Sequence, residues 1–211
     1  MTSTANLAAN RVSTGTGGGL SRADRRGRAA GAVVLALFAL AWTSWGLSAG
    51  VPRPLATLVT VTAVVCSLAC LGGVLVAYRR SAGAPVARDA SFDRAVVRRF
   101  GTVVTAEFVG LAVAARILTS AGHHQWVPAV VCLGVGVHFL PLSHLFGVPL
   151  YRWTGAALCL TAVATPVLAA ATGRTALWTL LPGLGAALTL YLTSAQLIRV
   201  ANATPSQQPR R

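Results

Sequence analysis

Length, composition and charge place this chain among membrane proteins with several spans. Of its 211 residues 55% are hydrophobic and only 10% are charged, with a mean hydropathy of +0.66, whereas soluble domains carry about 25% charged residues. The net charge of +14 comes from 18 arginines and no lysine. Such a basic chain also suggests a nucleic-acid partner. The arginines lie between long apolar runs, however, as in the cytoplasmic loops of membrane proteins, so we expect no nucleic-acid binding.

Taken in chain order, the sequence predicts one helical domain between two tails. Residues 1–28 are rich in Thr, Ser, Gly and Arg without an apolar period, and we expect a disordered basic tail. Residues 29–200 contain six apolar runs of spanning length and predict an all-α transmembrane bundle. The predicted spans are about 29–50, 55–78, 101–120, 126–146, 150–171 and 176–200. Residues 201–211 are a second predicted disordered tail.

The first apolar run has an alternative interpretation as a secretory signal, because basic residues precede it. Cleavage would then occur near Ala49. Its apolar length of about 20 residues exceeds the hydrophobic region of a typical signal and favours a spanning helix.

The arginines also predict the topology of the bundle. With Arg116 left out because it lies within a span, fifteen arginines fall on one side, and only Arg53 and Arg174 fall on the other. Positive charge favours the cytoplasmic side, so we expect both termini in the cytoplasm and anionic headgroups as partners of that face. Aromatic residues agree with this orientation, with three near the outer boundary and three near the inner one. These are Trp45, Trp126 and Trp178, and Tyr78, Tyr151 and Trp153, respectively.

Glu107 and His138 are the candidate ligand or proton site. Glu107 is the only glutamate of the chain, and a carboxylate in hydrocarbon costs several kcal/mol unless it is paired or hydrated. A helical rise of 1.5 Å per residue places Glu107 about 9 Å and His138 about 12 Å from the inner membrane boundary. The second depth becomes about 6 Å if the fourth helix ends at Leu142 rather than near Phe146. The two residues are therefore expected to meet, either as a functional site or as a tie between two helices.

Three further residues are candidates to support this site. Pro141 predicts a kink beside His138, and its ring removes a helical donor. His144 lies nearer the cytoplasmic surface. Tyr191 belongs to a polar stretch in the inner half of the last span, which either lines a cavity with Glu107 or hydrogen-bonds backbone and headgroups. That stretch comprises Thr189, Tyr191, Thr193, Ser194 and Gln196.

Motifs for metal binding and catalysis are absent from the sequence. There is no HExxH, CxxC or P-loop pattern, and no GxSxG elbow in which a strand leads into a helix. Cys66 and Cys70 share a helical face, which permits metal or redox chemistry, but no second pair supports it, and all four cysteines lie within apolar runs. We therefore expect no metal, no cofactor and no catalytic residues. Arg116 lies on the opposite helix face from Glu107, and we expect it to reach the outer interface.

The run VGVHFLPLSHLFGVPLYRWTG, residues 135–155, resembles a stretch of small uncharacterised bacterial integral membrane proteins with six helices. The shared pattern is a histidine followed by phenylalanine, a proline three residues on, and a later Pro-x-Tyr. Its members here are His138, Phe139, Pro141, Pro149 and Tyr151. The resemblance implies a bacterial origin and a role for His138 and Pro141, and it implies no activity.

The sequence thus predicts a multi-pass protein of the bacterial cytoplasmic membrane that binds or transports a small molecule or proton. An alternative is a noncatalytic scaffold or accessory subunit, either self-associating or bound to a membrane partner. An intramembrane enzyme is the least supported hypothesis, because no catalytic motif accompanies it.

Overall fold

A computed structural model describes residues 22–81 and 94–203 of the chain. Within these ranges the fold is all-helical, as predicted. The six helices are α1 (Arg22–Leu47), α2 (Arg53–Ser81), α3 (Arg94–Ser120), α4 (Val127–Leu145), α5 (Leu150–Thr172) and α6 (Leu177–Asn202). A short 3₁₀ helix, His124–Trp126, precedes α4.

Five of these helices, α1, α2, α4, α5 and α6, are long and apolar enough to cross a membrane. Their outward faces carry large apolar side chains, and soluble proteins rarely expose such continuous apolar surface. Examples more than half exposed are Leu37, Leu58, Leu68, Leu160, Val167 and Leu188. The chain is therefore built as a multi-pass membrane protein. α3 is not among the five, so the sixth predicted span stays a prediction.

The bundle is organised around α6, which packs against α1, α2, α4 and α5. Its closest approach is to α1, where a Cβ added at Gly183 would overlap the backbone of Gly46. α4 and α5 approach in the same way, since a Cβ at Gly155 would lie 2.6 Å from the carbonyl oxygen of Gly136. Small residues allow such contacts between helices in lipid. α3 is the outermost helix and packs mainly against α4 and the 3₁₀ turn.

The two ends of the bundle differ in composition. One end, here called the arginine end, is where α1 begins and where α2 and α6 end, and it contains Arg25, Arg26 and Arg80. The other end, the tryptophan end, contains a tilted pair of indole rings, Trp126 and Trp178, whose centroids are 4.6 Å apart. Each helix runs between these two ends.

The start of α1 differs from the sequence prediction, because residues 22–28 are helical and not part of a tail. Arg25 is buried, and its guanidinium donates to the carbonyl oxygens of Ala201 at 2.9 Å and Ala203 at 3.2 Å. Arg80 donates to the carbonyl oxygen of Asn202 at 2.9 Å. The last carbonyls of a helix lack intrahelical partners and carry partial negative charge, so arginines are favourable there. The remaining predicted tail residues, and most of the arginine-rich connector after α2, lie outside the described residues.

α4 continues through Pro141 and ends at Leu145, which agrees with the longer of the two predicted fourth helices. Gly147 follows with a φ of +60°, a left-handed conformation that glycine adopts without steric cost. Pro149 then occupies the N-cap position of α5. The chain reverses direction within these few residues.

Candidate functional site

Glu107 lies on the side of α3 that is packed against α4. The partly buried residues of α3 recur at intervals of three and four, which is the pattern of one helix face. They include Val104, Glu107, Leu111, Ala114 and Leu118. Large apolar side chains on the outward faces are exposed, namely Phe108, Val109, Val113 and Ile117. Arg116 is also exposed and does not share the Glu107 face, as predicted.

Glu107 and His138 are in contact between α3 and α4 and form an ion pair when the imidazole of His138 is protonated. The contact joins Oε2 of Glu107 to Nδ1 of His138, and the side chains are only 18% and 14% exposed. The imidazole N–H donates and the carboxylate accepts, an arrangement that is stronger when either group is charged. The contact expected from equal depth on consecutive antiparallel helices is therefore present.

A close helix contact lies one turn from this ion pair. Leu111 follows Glu107 by four residues and Gly134 precedes His138 by four, and the two pack together. A Cβ added at Gly134 would lie 2.5 Å from the Cδ2 atom of Leu111. The absence of a side chain at Gly134 thus leaves room for the Leu111 side chain between α3 and α4.

Two of the predicted supporting residues lie on the exposed side of α4. Pro141 is one turn beyond His138 and exposed. Its ring nitrogen cannot donate to the carbonyl of Val137, which would be its partner in a regular helix. His144 is exposed in the last turn of α4, nearer the arginine end. Pro141 is therefore adjacent to the ion pair in the backbone, while His144 is displaced from it along the helix.

The structure does not bring Tyr191 to the ion pair. Its hydroxyl donates to the carbonyl oxygen of Ala63 at 2.9 Å and lies 2.8 Å from Oγ of Ser67, both on α2. α3 and α2 are on different sides of the bundle, because α3 packs mainly against α4. The rotation of α6 about its axis, which residue spacing alone leaves undefined, turns Tyr191 toward α2.

Other polar residues of α6 also tie helices together. Thr193 is 2.8 Å from the hydroxyl of Thr154 on α5. Ser194 donates to the carbonyl oxygen of Ala32 at 2.9 Å and contacts the sulfur of Cys70. These bonds satisfy buried hydroxyls within the bundle. Of the two predicted roles for this stretch, backbone and interhelix hydrogen bonding fits the observed contacts.

The four cysteines are free thiols. Cys132 donates to the carbonyl oxygen of Leu158 at 3.4 Å, and Cys159 lies 3.9 Å from that of Leu133, so this pair packs reciprocally between α4 and α5. Within residues 22–81 and 94–203, no three His, Cys, Asp or Glu residues are grouped as metal ligands would be. The thiols act here as small packing groups.

The residues of the His-Phe-x-Pro pattern divide between two interfaces. His138 reaches α3, whereas the adjacent Phe139 is buried and meets the ring of Tyr151 edge-on, with centroids 5.5 Å apart. Phe146 packs against the other side of Tyr151 at 6.5 Å. Phe139 and Tyr151 of the pattern therefore hold the α4–α5 turn together, and His138 is the member that contacts α3.

Two open cavities occur at the tryptophan end, and neither is lined by Glu107 or His138. A groove of about 590 Å³ separates the ends of α1 and α2, with Thr43, Ser44, Ser48 and Thr60 among its lining residues. A pocket of about 370 Å³ lies between the 3₁₀ helix and the start of α6. Its lining residues are His124, Gln125, Thr175, Trp178 and Thr179. Sequence reasoning missed this pocket, although tryptophans predicted at one boundary on separate turns were a signal.

Comparisons with family models, with curated proteins and with solved structures find no match to this chain. The bacterial resemblance of residues 135–155 therefore remains a resemblance.

Proposed function

We propose that this protein is a six-span protein of the bacterial cytoplasmic membrane that binds and passes a proton, or a small ligand coupled to a proton, at Glu107 and His138. Both termini face the cytoplasm, and anionic headgroups contact the arginine end. The ion pair carries this proposal. Ionisable residues within apolar helices are costly, and a carboxylate hydrogen-bonded to an imidazole offers two adjacent proton-binding groups.

Two features of α3 support its assignment as the sixth span. Its 27 residues correspond to about 40 Å of helix at 1.5 Å per residue, more than the roughly 30 Å of a hydrocarbon core. Its outward faces carry exposed apolar side chains suited to lipid, such as Phe108 and Ile117. Arg116 lies about one turn from the tryptophan end and can extend to the interface.

The ion pair links proton binding to the attachment of α3. A proton that enters from the arginine end and binds Glu107 removes the carboxylate charge and weakens its attraction to His138. Proton transfer between the two groups needs no intervening water, because the pair shares one hydrogen bond. Since α3 packs mainly against α4, the loss of this attraction loosens the least supported helix of the bundle.

The test is proton flux into vesicles reconstituted with purified protein under an imposed pH gradient. We expect Glu107→Gln and His138→Gln to lower the flux by on the order of tenfold or more, because each removes a proton-binding group. His144→Gln is the matched control, since it makes the same change at an exposed position of the same helix. Unchanged flux in a folded Glu107→Gln protein would remove the central residue of the proposal.

The scaffold hypothesis is supported by a separate observation, that neither of the two cavities described above adjoins the ion pair. In that role Glu107 and His138 only hold two helices together, and the arginine end binds lipid or a partner. His138→Gln would then lower the yield of folded protein and leave the flux of the folded fraction unchanged. The same vesicle experiment therefore separates the two functions.

A further inference from the structure

The pocket between the 3₁₀ helix and α6 opens at the tryptophan end, away from the ion pair. His124 precedes His138 by fourteen residues, which is roughly 20 Å along a helix. The volume of about 370 Å³ lies within the range of small-molecule sites. One wall is the indole of Trp178, whose ring is held by its contact with Trp126. The pocket therefore has a fixed aromatic wall at the water-facing end of the bundle.

The polar groups of this pocket are unused within the described part of the chain. None of the five lining side chains forms a side-chain hydrogen bond there. Threonines elsewhere commonly donate to their own helix, as Thr172 does to the carbonyl of Leu168 at 2.7 Å and Thr189 to that of Gly185 at 2.8 Å. Thr179 does not make the equivalent bond to Thr175. Hydroxyl, amide, imidazole and indole groups thus line the cavity and are accessible to a ligand, since His124 and Thr175 are exposed and the other three residues are half-buried.

The charge of the lining restricts the ligand. No aspartate or glutamate lines the pocket, so a cation has no counter-charge there. No arginine lines it either, so an anion lacks a guanidinium partner. Anions often bind free N–H groups at a helix start. Here the N–H groups of Leu177, Trp178 and Thr179 already donate to upstream carbonyls, each at 3.2 Å. A neutral ligand with several hydrogen-bonding groups fits this lining best.

We propose that this pocket binds a small neutral polyol, of about monosaccharide size, from the aqueous side of the tryptophan end. The C–H face of such a molecule packs against the indole of Trp178, as apolar surfaces do. Its hydroxyls exchange hydrogen bonds with the amide of Gln125 and the hydroxyls of Thr175 and Thr179. This site is independent of Glu107 and His138, so either proposal can fail without the other.

The experiment follows tryptophan fluorescence of the full chain in lipid nanodiscs during titration with glucose, inositol and glycerol as neutral probes. Gluconate and glucosamine provide an anion and a cation of similar size. We expect saturable binding of at least one neutral probe with a dissociation constant on the order of 1 mM. Thr179→Val should weaken it about fivefold, the equivalent of one hydrogen bond. Thr57→Val is the control, because that hydroxyl already donates to the carbonyl of Arg53.

Three results would overturn the polyol site. The first is the absence of a saturable signal with all three neutral probes up to about 100 mM, far above the expected constant. The second is stronger binding of gluconate or glucosamine than of any neutral probe. The third is equal weakening by Thr179→Val and Thr57→Val in proteins that elute identically on gel filtration. Selective loss in Thr179→Val supports the site.

Discussion

The α1–α6 contact and the α3–α4 contact are built by different means. α1 and α6 approach through glycine at Gly46 and Gly183 and bury alanines along their length. α3 meets α4 along a single face, with no fully buried side chain among its described residues 101, 102 and 104–120. Its interface includes the ion pair of Glu107 and His138.

The contrast separates the packed core of the bundle from its adjustable part. In lipid, helices associate through close packing and hydrogen bonds because the tails are as apolar as the side chains. An interface of interlocked small residues has one low-energy arrangement, whereas an interface joined by a polar pair depends on protonation. We therefore expect the α1–α6 contact to contribute more to the free energy of unfolding, and the α3–α4 contact to change with protonation.

The strongest test of this contrast is Gly183→Ala. The added Cβ would overlap the backbone of Gly46, which cannot move aside as a flexible side chain can. We expect a loss of about 3 kcal/mol in unfolding free energy, the upper part of the usual range for overpacking. Gly110→Ala on α3 is the matched control, because nothing lies within 4 Å of its Cβ position. Unfolding in detergent, followed by circular dichroism, measures both. Equal losses would contradict the contrast.

Arg25→Gln should have the next largest effect. It removes the charged donor from the carbonyls of Ala201 and Ala203, and hydrogen bonds to charged groups contribute about 2 kcal/mol each. We expect a loss of about 2 kcal/mol after partial hydration of the freed carbonyls. Arg79→Gln, at an exposed position of the same end, should change stability little. The same unfolding assay measures both variants. A similar loss of unfolding free energy in both would mean that the effect of Arg25→Gln comes from the loss of a positive charge and not from its hydrogen bonds.

The smallest effect is expected at the ion pair. A double-mutant cycle with Glu107→Gln and His138→Gln should give a coupling free energy of about 1 kcal/mol, typical of polar contacts within membranes. Either single change should destabilise the protein less than Gly183→Ala. A coupling free energy near zero would mean that the pair does not stabilise the attachment of α3. A loss in either single variant equal to that of Gly183→Ala would mean that the α3–α4 contact is as important to stability as the α1–α6 contact.

The all-helical fold followed from the sequence because long apolar runs mark the helices. The orientation that the arginines indicate stays a prediction. The turns between helices were predicted from proline, glycine and run length, and the structure agrees with the longer of the two alternatives left open for α4. The start of α1 was wrong, since residues 22–28 have no apolar period. Their helix is stabilised by a contact between Arg25 and the distant end of α6, which local sequence patterns do not reveal.

The sequence predicted how deep in the membrane the residues of the candidate site lie, but it did not predict how each helix is rotated about its own axis. A fixed rise per residue on consecutive antiparallel helices brings Glu107 and His138 to the same level. The face that each helix turns toward its neighbours depends on all its contacts, and this is why Tyr191 was grouped with the ion pair but lies against α2. The pocket around Trp178 lies between two turns that are distant in sequence, so no local pattern predicted it. The only signal was that Trp126 and Trp178 were both predicted at the same boundary.

The hydrogen bond from Arg25 to Ala201 has a consequence for biosynthesis. The two residues are 176 positions apart, so the ribosome completes five helices before the acceptor for this guanidinium exists. Contacts this distant in sequence form late and slowly. The contact between the start of α1 and the end of α6 is therefore expected to form only after α6 has been synthesised.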